Sequence, residues 1–271
     1  MVERKMKIVV LIKQVPATDK VKMDEATGTM IRDGVESEVN PLDLYAVEEA
    51  VRIKERSGGG VEIHVLSMGP RKAEEAVRSA MALGCDYGYL LSDRKFAGSD
   101  TWATAYTLSE TLRRKLAPFD LILCGERATD GETGQVGPEV GTYLNLPVLT
   151  YVRKIETLRE DAVMVQRAVE GGHEVIEAPL PALISVVKEI NHPRLPNFSG
   201  KMRAKKAEIP VWTAEDLGVD ESRLGLKGSP TRVVKIFRPQ VARKGKIVSA
   251  REDLEGAVVG LVDFLREKAL L

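Results

Sequence analysis

Short, unbroken apolar runs alternate with stretches of helical period through the first half of this chain. That alternation constrains the fold more than any other feature. The run Lys7-Ile-Val-Val-Leu-Ile12 is short, continuous and β-branched, as suits a strand covered on both faces in a parallel sheet. Val21 to Asp33 alternates loosely around Ala26-Thr27-Gly28-Thr29 and predicts a hairpin. Asn40-Pro41 reads as a helix start, with Asn capping free amides, Pro tolerated in the first turn and Asp43 complementing the dipole. Leu44, Val47 and Val51 keep helical spacing up to Gly58-Gly59-Gly60.

The unit then repeats. Val61 to Leu66 predicts a strand; Met68-Gly69-Pro70 opens a helix through Ala73, Ala76, Val77, Ala80 and Met81, ending at Gly84. Tyr87 to Leu91 is a strand, Ser99 or Asp100 caps the next helix, Phe119 to Cys124 is another strand, and a helix lies around Gly137 to Leu144. Strand–helix alternation implies right-handed crossovers and an open, Rossmann-like α/β fold with a parallel sheet and helices on both faces. After Pro147 the segments around Val163 to Val165, Glu174 to Ile176 and Ala182 to Val187 predict a hairpin added to that sheet, then a final strand. Beyond Asn191 periodicity fades into an extended arm until about Val248. Ser249-Ala250-Arg251-Glu252 has the capping-box pattern, and Leu254, Val258, Leu261 and Leu265 predict a terminal amphipathic helix. Its apolar stripe needs either its own core or a partner. Three regions are expected: a nucleotide-binding α/β domain over 1–190, a partner-recognition loop and arm over 191–248, and the terminal helix over 249–271.

Composition removes several functions. The 40 Lys+Arg balance 40 Asp+Glu, so the chain lacks the electrostatic footprint of a general nucleic-acid or membrane-surface binder. No apolar run reaches the roughly 18–20 residues that span a bilayer. The N-terminus lacks a signal-peptide pattern, and Cys85 and Cys124 fit buried small hydrophobes of a reducing, cytoplasmic setting. The 3 His are scattered, and no nucleophile–base constellation or metal spacing appears, so no catalytic or metal residue is assigned. The adjacent carboxylates Glu48-Glu49 read as a solvated helix face.

The most informative stretch runs from Cys124 through Gly125, Glu126, Arg127, Ala128, Thr129, Asp130, Gly131, Glu132, Thr133, Gly134, Gln135 and Val136 to Gly137-Pro138. It follows a strand and precedes a helix, where open α/β sheets bind ligands. Its glycines permit close backbone approach, the helix N-terminus offers amides to a phosphate, and Thr133 and Gln135 add side-chain donors. Alternatively the glycines only make turns. The loop is neither the GxGxxG fingerprint nor a P-loop. Leu11 and Lys13 at the first strand's end, Met68 and Gly69 at the second's, and the helix start with Asn40 and Asp43 converge on the same edge. Together they describe a mononucleotide-sized crevice. A second feature, Asn191 to Lys206, carries Pro193 and Pro196, with Phe198 and Met202 among basic residues. It reads either as a solvated basic loop or as a docking loop whose Phe198 enters a partner's groove.

These residues together resemble the β subunit of electron transfer flavoprotein along nearly the whole chain. The resemblance rests on Val10-Leu-Ile-Lys-Gln-Val-Pro16, Asn40-Pro41 with Ala46 to Ala50, and the 125–138 loop. It continues in Arg167 to Gly172 with Glu174, Leu180-Pro-Ala182, and Asn191-His-Pro-Arg194 running into Met202-Arg-Ala-Lys-Lys206. It implies a heterodimer with an α subunit, a nucleotide pocket here, and recognition of dehydrogenase or quinone-reducing proteins. The recognising residues would be Asn191, Pro193, Arg194, Phe198, Met202 and Lys205, with Phe198 at the family's docking leucine. Ordinary members hold structural AMP; electron-bifurcating members hold FAD and take electrons from NADH. Asp130-Gly-Glu-Thr-Gly-Gln-Val-Gly-Pro138 is similar to the bifurcating DGDTAQVGP pattern. Gly131 and Thr133 thus favour FAD, while Gly134 replaces the usual Ala. Two rivals remain: an ATP-using protein of similar topology, and a purely structural subunit.

Overall fold

The computed structural model describes residues 4–17, 36–234 and 247–271; the hairpin expected over Val21 to Asp33 lies outside them. The chain divides into a first unit ending at Val234 and a second comprising Lys235–Leu271.

In the first unit, β1 (Met6–Ile12) is followed by the short strands β2 (Gln14–Pro16) and β3 (Ser37–Val39), which pair antiparallel as a separate ribbon. Then come α1 (Pro41–Arg56), β4 (Val61–Met68), α2 (Glu74–Leu83), β5 (Tyr87–Leu91), α3 (Thr101–Thr111), β6 (Leu121–Gly125) and α4 (Val136–Tyr143). Three consecutive strands follow, β7 (Val148–Leu158), β8 (Ala162–Val169) and β9 (Gly172–Pro179), before β10 (Ala182–Val186). The chain continues through α5 (Phe198–Lys206), β11 (Val211–Trp212), α6 (Ala214–Leu217) and α7 (Gly225–Gly228). The second unit contains α8 (Leu254–Glu267).

Among the described residues the main sheet runs β11-β5-β4-β1-β6-β10-β7-β8-β9. It is parallel from β11 through β7, and the two pairings among β7, β8 and β9 are antiparallel. Successive strands first step outward from β1 through β4 to β5, then return to β6 on its other side. The β1–β6 boundary is therefore the topological switch point, where the diverging crossovers leave a crevice beyond the strand ends.

The sheet separates two apolar layers. Ile8, Val10 and Ile12 of β1 face the layer with Ala46, Val47, Ala50 and Val51 of α1 and Ala76, Val77, Ala80 and Met81 of α2. Val9 and Leu11 face the other, with Ala105, Leu108 and Leu112 from the α3 segment and Val140 of α4. This two-sided burial explains the unbroken apolar run in β1. Cys85 and Cys124 are both buried and free.

Several elements differ from the sequence reading. A long β7 pairs between β10 and β8, although Thr150, Tyr151, Arg153 and Lys154 interrupt its apolar content. The stretch from Phe198 to Gly228 is more regular than its Pro, Gly and Lys suggest, with α5 seated on α2 and β11 extending the sheet beside β5. The cap of α8 is Asp253, which accepts from the Gly256 amide at 2.9 Å; Ser249 instead accepts from Arg251 N. Among the described residues no helix is long and apolar enough to cross a membrane.

Candidate functional site

Two residues at the start of α1 organise the crevice. Asn40 has no capping bond to its own helix. Its side chain instead grips the loop after β6, donating to the Arg127 carbonyl at 2.9 Å and accepting from Thr129 N at 3.1 Å. It is fully buried. Asp43 joins the two strand ends of the switch point: Oδ2 accepts from Lys13 N at 2.8 Å and Oδ1 from Gly125 N at 3.1 Å. Burial pushes the Asp43 carboxyl up to about 7, against the pull of those two amides, Asn40 and Lys13.

Gly125 is required by this closeness. A Cβ there would lie 2.5 Å from Asp43 Oδ1 and 2.7 Å from the Leu42 carbonyl carbon. The loop then turns on itself, with the Glu132 amide donating to Ala128 O at 2.8 Å. Lys13 Nζ crosses the mouth to Asp130 Oδ1 at 2.6 Å. Glu132 and Gly134 adopt positive φ, 54° and 64°, as the chain swings into α4. Among the described residues the amides of Thr133, Gly134 and Gln135 donate to no protein acceptor. These free donors immediately before an eight-residue helix, on the loop whose Asp130 pairs with Lys13, fit an anionic nucleotide phosphate.

The structure thus links Lys13, Asn40, Asp43, Gly125, Arg127, Thr129 and Asp130 directly, with Ala128, Gly131, Glu132, Thr133, Gly134, Gln135 and Val136 on the same loop. Met68 and Gly69 stand at the neighbouring strand end, where the Gly69 amide donates to Leu91 O at 3.0 Å. Leu11 and Cys124 have buried side chains within the core layer, and burial raises the Cys124 thiol's pKa. Sequence reasoning missed Thr101 and Glu139. Thr101 Oγ1 donates to Glu139 Oε1 at 3.1 Å and reaches Gln135 Oε1 at 3.3 Å. Burial, with the Asp100 charge nearby, holds the Glu139 carboxyl above its usual range. The available signals were the Asp100 cap and Glu139 in the first turn of α4.

The second candidate region divides by orientation. Asn191 is buried and its amide donates to Tyr45 O at 3.0 Å and Glu49 Oε2 at 3.1 Å. Arg194 forks onto Glu48 and Glu55. Phe198 and Met202 face outward, at 80% and 40% exposure, and Leu195, which the sequence reading passed over, is 90% exposed. Glu48 and Glu49 are both buried, at 4% each, contrary to the expectation of a solvated face: the 191–194 segment crosses α1 and covers them.

A family model described as the electron transfer flavoprotein domain matches residues 27–217. The chain is 46% identical over 267 residues to electron transfer flavoprotein subunit beta of Thermoanaerobacterium thermosaccharolyticum, covering 98% of this chain and 100% of that one. The chain belongs to the electron transfer flavoprotein β-subunit family. The β subunit of Megasphaera elsdenii is 44% identical over 262 residues, covering 95% of this chain and 96% of its own. The caffeyl-CoA reductase-Etf complex subunit CarD of Acetobacterium woodii is 43% identical over 266 residues, covering 98% and 100%. Family membership agrees with the resemblance drawn from the motifs.

Proposed function

We propose that this chain pairs with an α subunit in a cytoplasmic heterodimer, holds FAD in the switch-point crevice, and passes electrons between NADH or a dehydrogenase and protein acceptors. One observation carries this reading. Asn40 and Asp43 tie the start of the β6 loop to the end of β1 at Lys13, and further along that loop the amides of Thr133, Gly134 and Gln135 donate to no protein acceptor among the described residues. A bound flavin supplies the redox chemistry, accepting a hydride and releasing electrons singly. The chain's own residues bind and orient: the loop amides and Lys13 receive phosphate, and Asn40 and Asp43 fix the loop's register. The Asp130-to-Pro138 pattern supports FAD over AMP, and the name of the Acetobacterium woodii relative places that protein in an Etf complex. Leu195, Phe198 and Met202 offer an apolar docking surface to dehydrogenase or quinone-reducing partners.

Co-expression with the α subunit, followed by mass spectrometry of released ligands, tests this. Two flavins per heterodimer are expected. One flavin with AMP rejects the bifurcating role and leaves a structural nucleotide. ATP hydrolysis by the chain alone favours the ATP-using rival.

A further inference from the structure

Thr101 opens α3, and Glu139 lies in the first turn of α4, the helix packed beside it. The Thr101 hydroxyl has one hydrogen and two oxygens in reach: Glu139 Oε1 at 3.1 Å and Gln135 Oε1 at 3.3 Å. Gln135 is exposed at the end of the candidate phosphate loop, and among the described residues its Nε2 donates to no protein acceptor. One end of an amide gives hydrogen bonds and the other takes them, so the surrounding bonds decide which end faces which way. Here that depends on where the Thr101 hydrogen goes.

The proton of Glu139 controls that hydrogen. The other carboxyl oxygen, Oε2, is buried with no hydrogen-bond partner among the described residues. Asp100, by contrast, accepts from Ala103 N at 3.0 Å, Thr231 N at 2.9 Å and Thr231 Oγ1 at 2.8 Å. Of two carboxyls whose charges repel, the one with fewer donors takes the first proton as pH falls. Burial and the Asp100 charge accordingly hold Glu139 above its usual range against the Thr101 bond. Asp100 is also desolvated, yet its own donors hold it below. Arg223 and Arg113 reach α4 one turn further on, at Tyr143: Arg223 Nη2 donates to its hydroxyl at 3.2 Å and Arg113 Nη2 to its carbonyl at 2.9 Å. β10 carries no titratable side chain, and β7 packs Val148 against Gly141 of α4.

We propose that Glu139 is a positioning residue for the candidate nucleotide site: through Thr101, its proton sets which end of the Gln135 amide faces a bound phosphate. This rests on the crevice reading above. Protonated Glu139 donates to Thr101 Oγ1, the Thr101 hydrogen turns to Gln135 Oε1, and the Gln135 NH2 is left to donate outward. Ionised Glu139 claims the Thr101 hydrogen. Gln135 Nε2 then turns to Thr101 Oγ1, and the Gln135 carbonyl oxygen faces outward, where it repels phosphate. Phosphate binding is therefore favoured while Glu139 keeps its proton and weakens as pH rises and the proton is lost. Glu139→Gln holds the first arrangement at every pH, because the new NH2 always donates to Thr101.

The test titrates AMP, the part common to both candidate ligands, into the full-length chain and its variants by calorimetry at pH 5 and pH 8. Ratios of variant to wild type cancel the ionisation of AMP itself and of Asp43. Glu139→Gln should match wild type near pH 5 and bind AMP about fivefold more tightly at pH 8, equivalent to about 1 kcal/mol, the worth of one neutral hydrogen bond. In a Thr101→Val background the same substitution should change affinity by less than about twofold, because the coupling runs through the hydroxyl. A gain of equal size in that background means that only the lost charge matters and overturns the inference, as does no gain at pH 8. Should Glu139→Gln fail to fold, Gln135→Ala, at an exposed side chain, replaces it. That variant should lose about fivefold at pH 5 and little at pH 8, and equal losses at both overturn the coupling. A wild-type chain that binds no AMP at either pH overturns the crevice reading itself.

Discussion

Asp43 couples protonation to the candidate nucleotide site. Each of its oxygens accepts one backbone amide, and burial pushes its carboxyl up to about 7. A nucleotide phosphate bound near it would raise that value further, since a second negative charge disfavours the carboxylate. Binding FAD or AMP slightly above pH 7 should therefore take up a fraction of a proton. Titration calorimetry in two buffers of different ionisation enthalpy checks this, and Asp43→Asn should abolish the uptake. That variant also turns an amide NH2 toward a backbone N–H, at a cost of about 1–3 kcal/mol. His64 acts oppositely on stability. Its Nδ1 lies 3.1 Å from Tyr89 Oη, and burial, aided by Lys7, depresses its pKa from 6.5 to about 4. The unfolded chain then binds the extra proton in that window, so His64 removes stability as pH falls from 6.5 to 4. Asp43 binds its proton more tightly when folded, so between 3.8 and 7 it adds stability on acidification. His64→Phe should flatten the destabilising limb in thermal unfolding at pH 4–6.5, an effect that a proton-neutral His64 would not produce.

The crossovers that form the switch point were legible because β1, β4, β5 and β6 are covered on both faces and must read as near-continuous apolar runs. α1 was legible from Asn40-Pro41 and the spacing of Val47 and Val51. What hid the rest was tertiary pairing. β7 carries the adjacent exposed charges Arg153 and Lys154, β11 is two residues long, and α5 buries only Gly200 and Ala204, too little for a periodic signal. Glu48 and Glu49 were misread because neighbours on a helix both become buried when a distant segment, 191–194, crosses the face between them. The grip of Asn40 on the β6 loop was likewise unreadable: an Asn before a helix Pro predicts a cap, whereas here the side chain serves a loop more than eighty positions away. Gly125 tests how closely that joint is packed. Gly125→Ala puts a Cβ within 2.5 Å of Asp43 Oδ1 and should cost about 1–3 kcal/mol through overpacking. A melting point lower by about 2–4 °C per kcal/mol, with lost nucleotide, is expected; a variant that keeps both would mean the joint yields freely.

At the scale of the whole chain, the first unit closes its own core. Both of its apolar layers are built from residues up to Leu224. On α8 itself, Leu254, Val258, Leu261 and Phe264 are 65%, 51%, 58% and 51% exposed, a stripe at helical spacing. An apolar stripe of this kind on a subunit-family member fits a surface that becomes buried on assembly. Truncation after Val248 separates the two contributions. The shortened chain should unfold at nearly the melting temperature of the full chain, because no layer loses a residue. Its yield of heterodimer on co-expression with the α subunit should fall, measured by size exclusion with both subunits quantified. A large loss of melting temperature in the isolated chain would instead make α8 part of this subunit's own stability, and unchanged heterodimer yield would remove it from assembly.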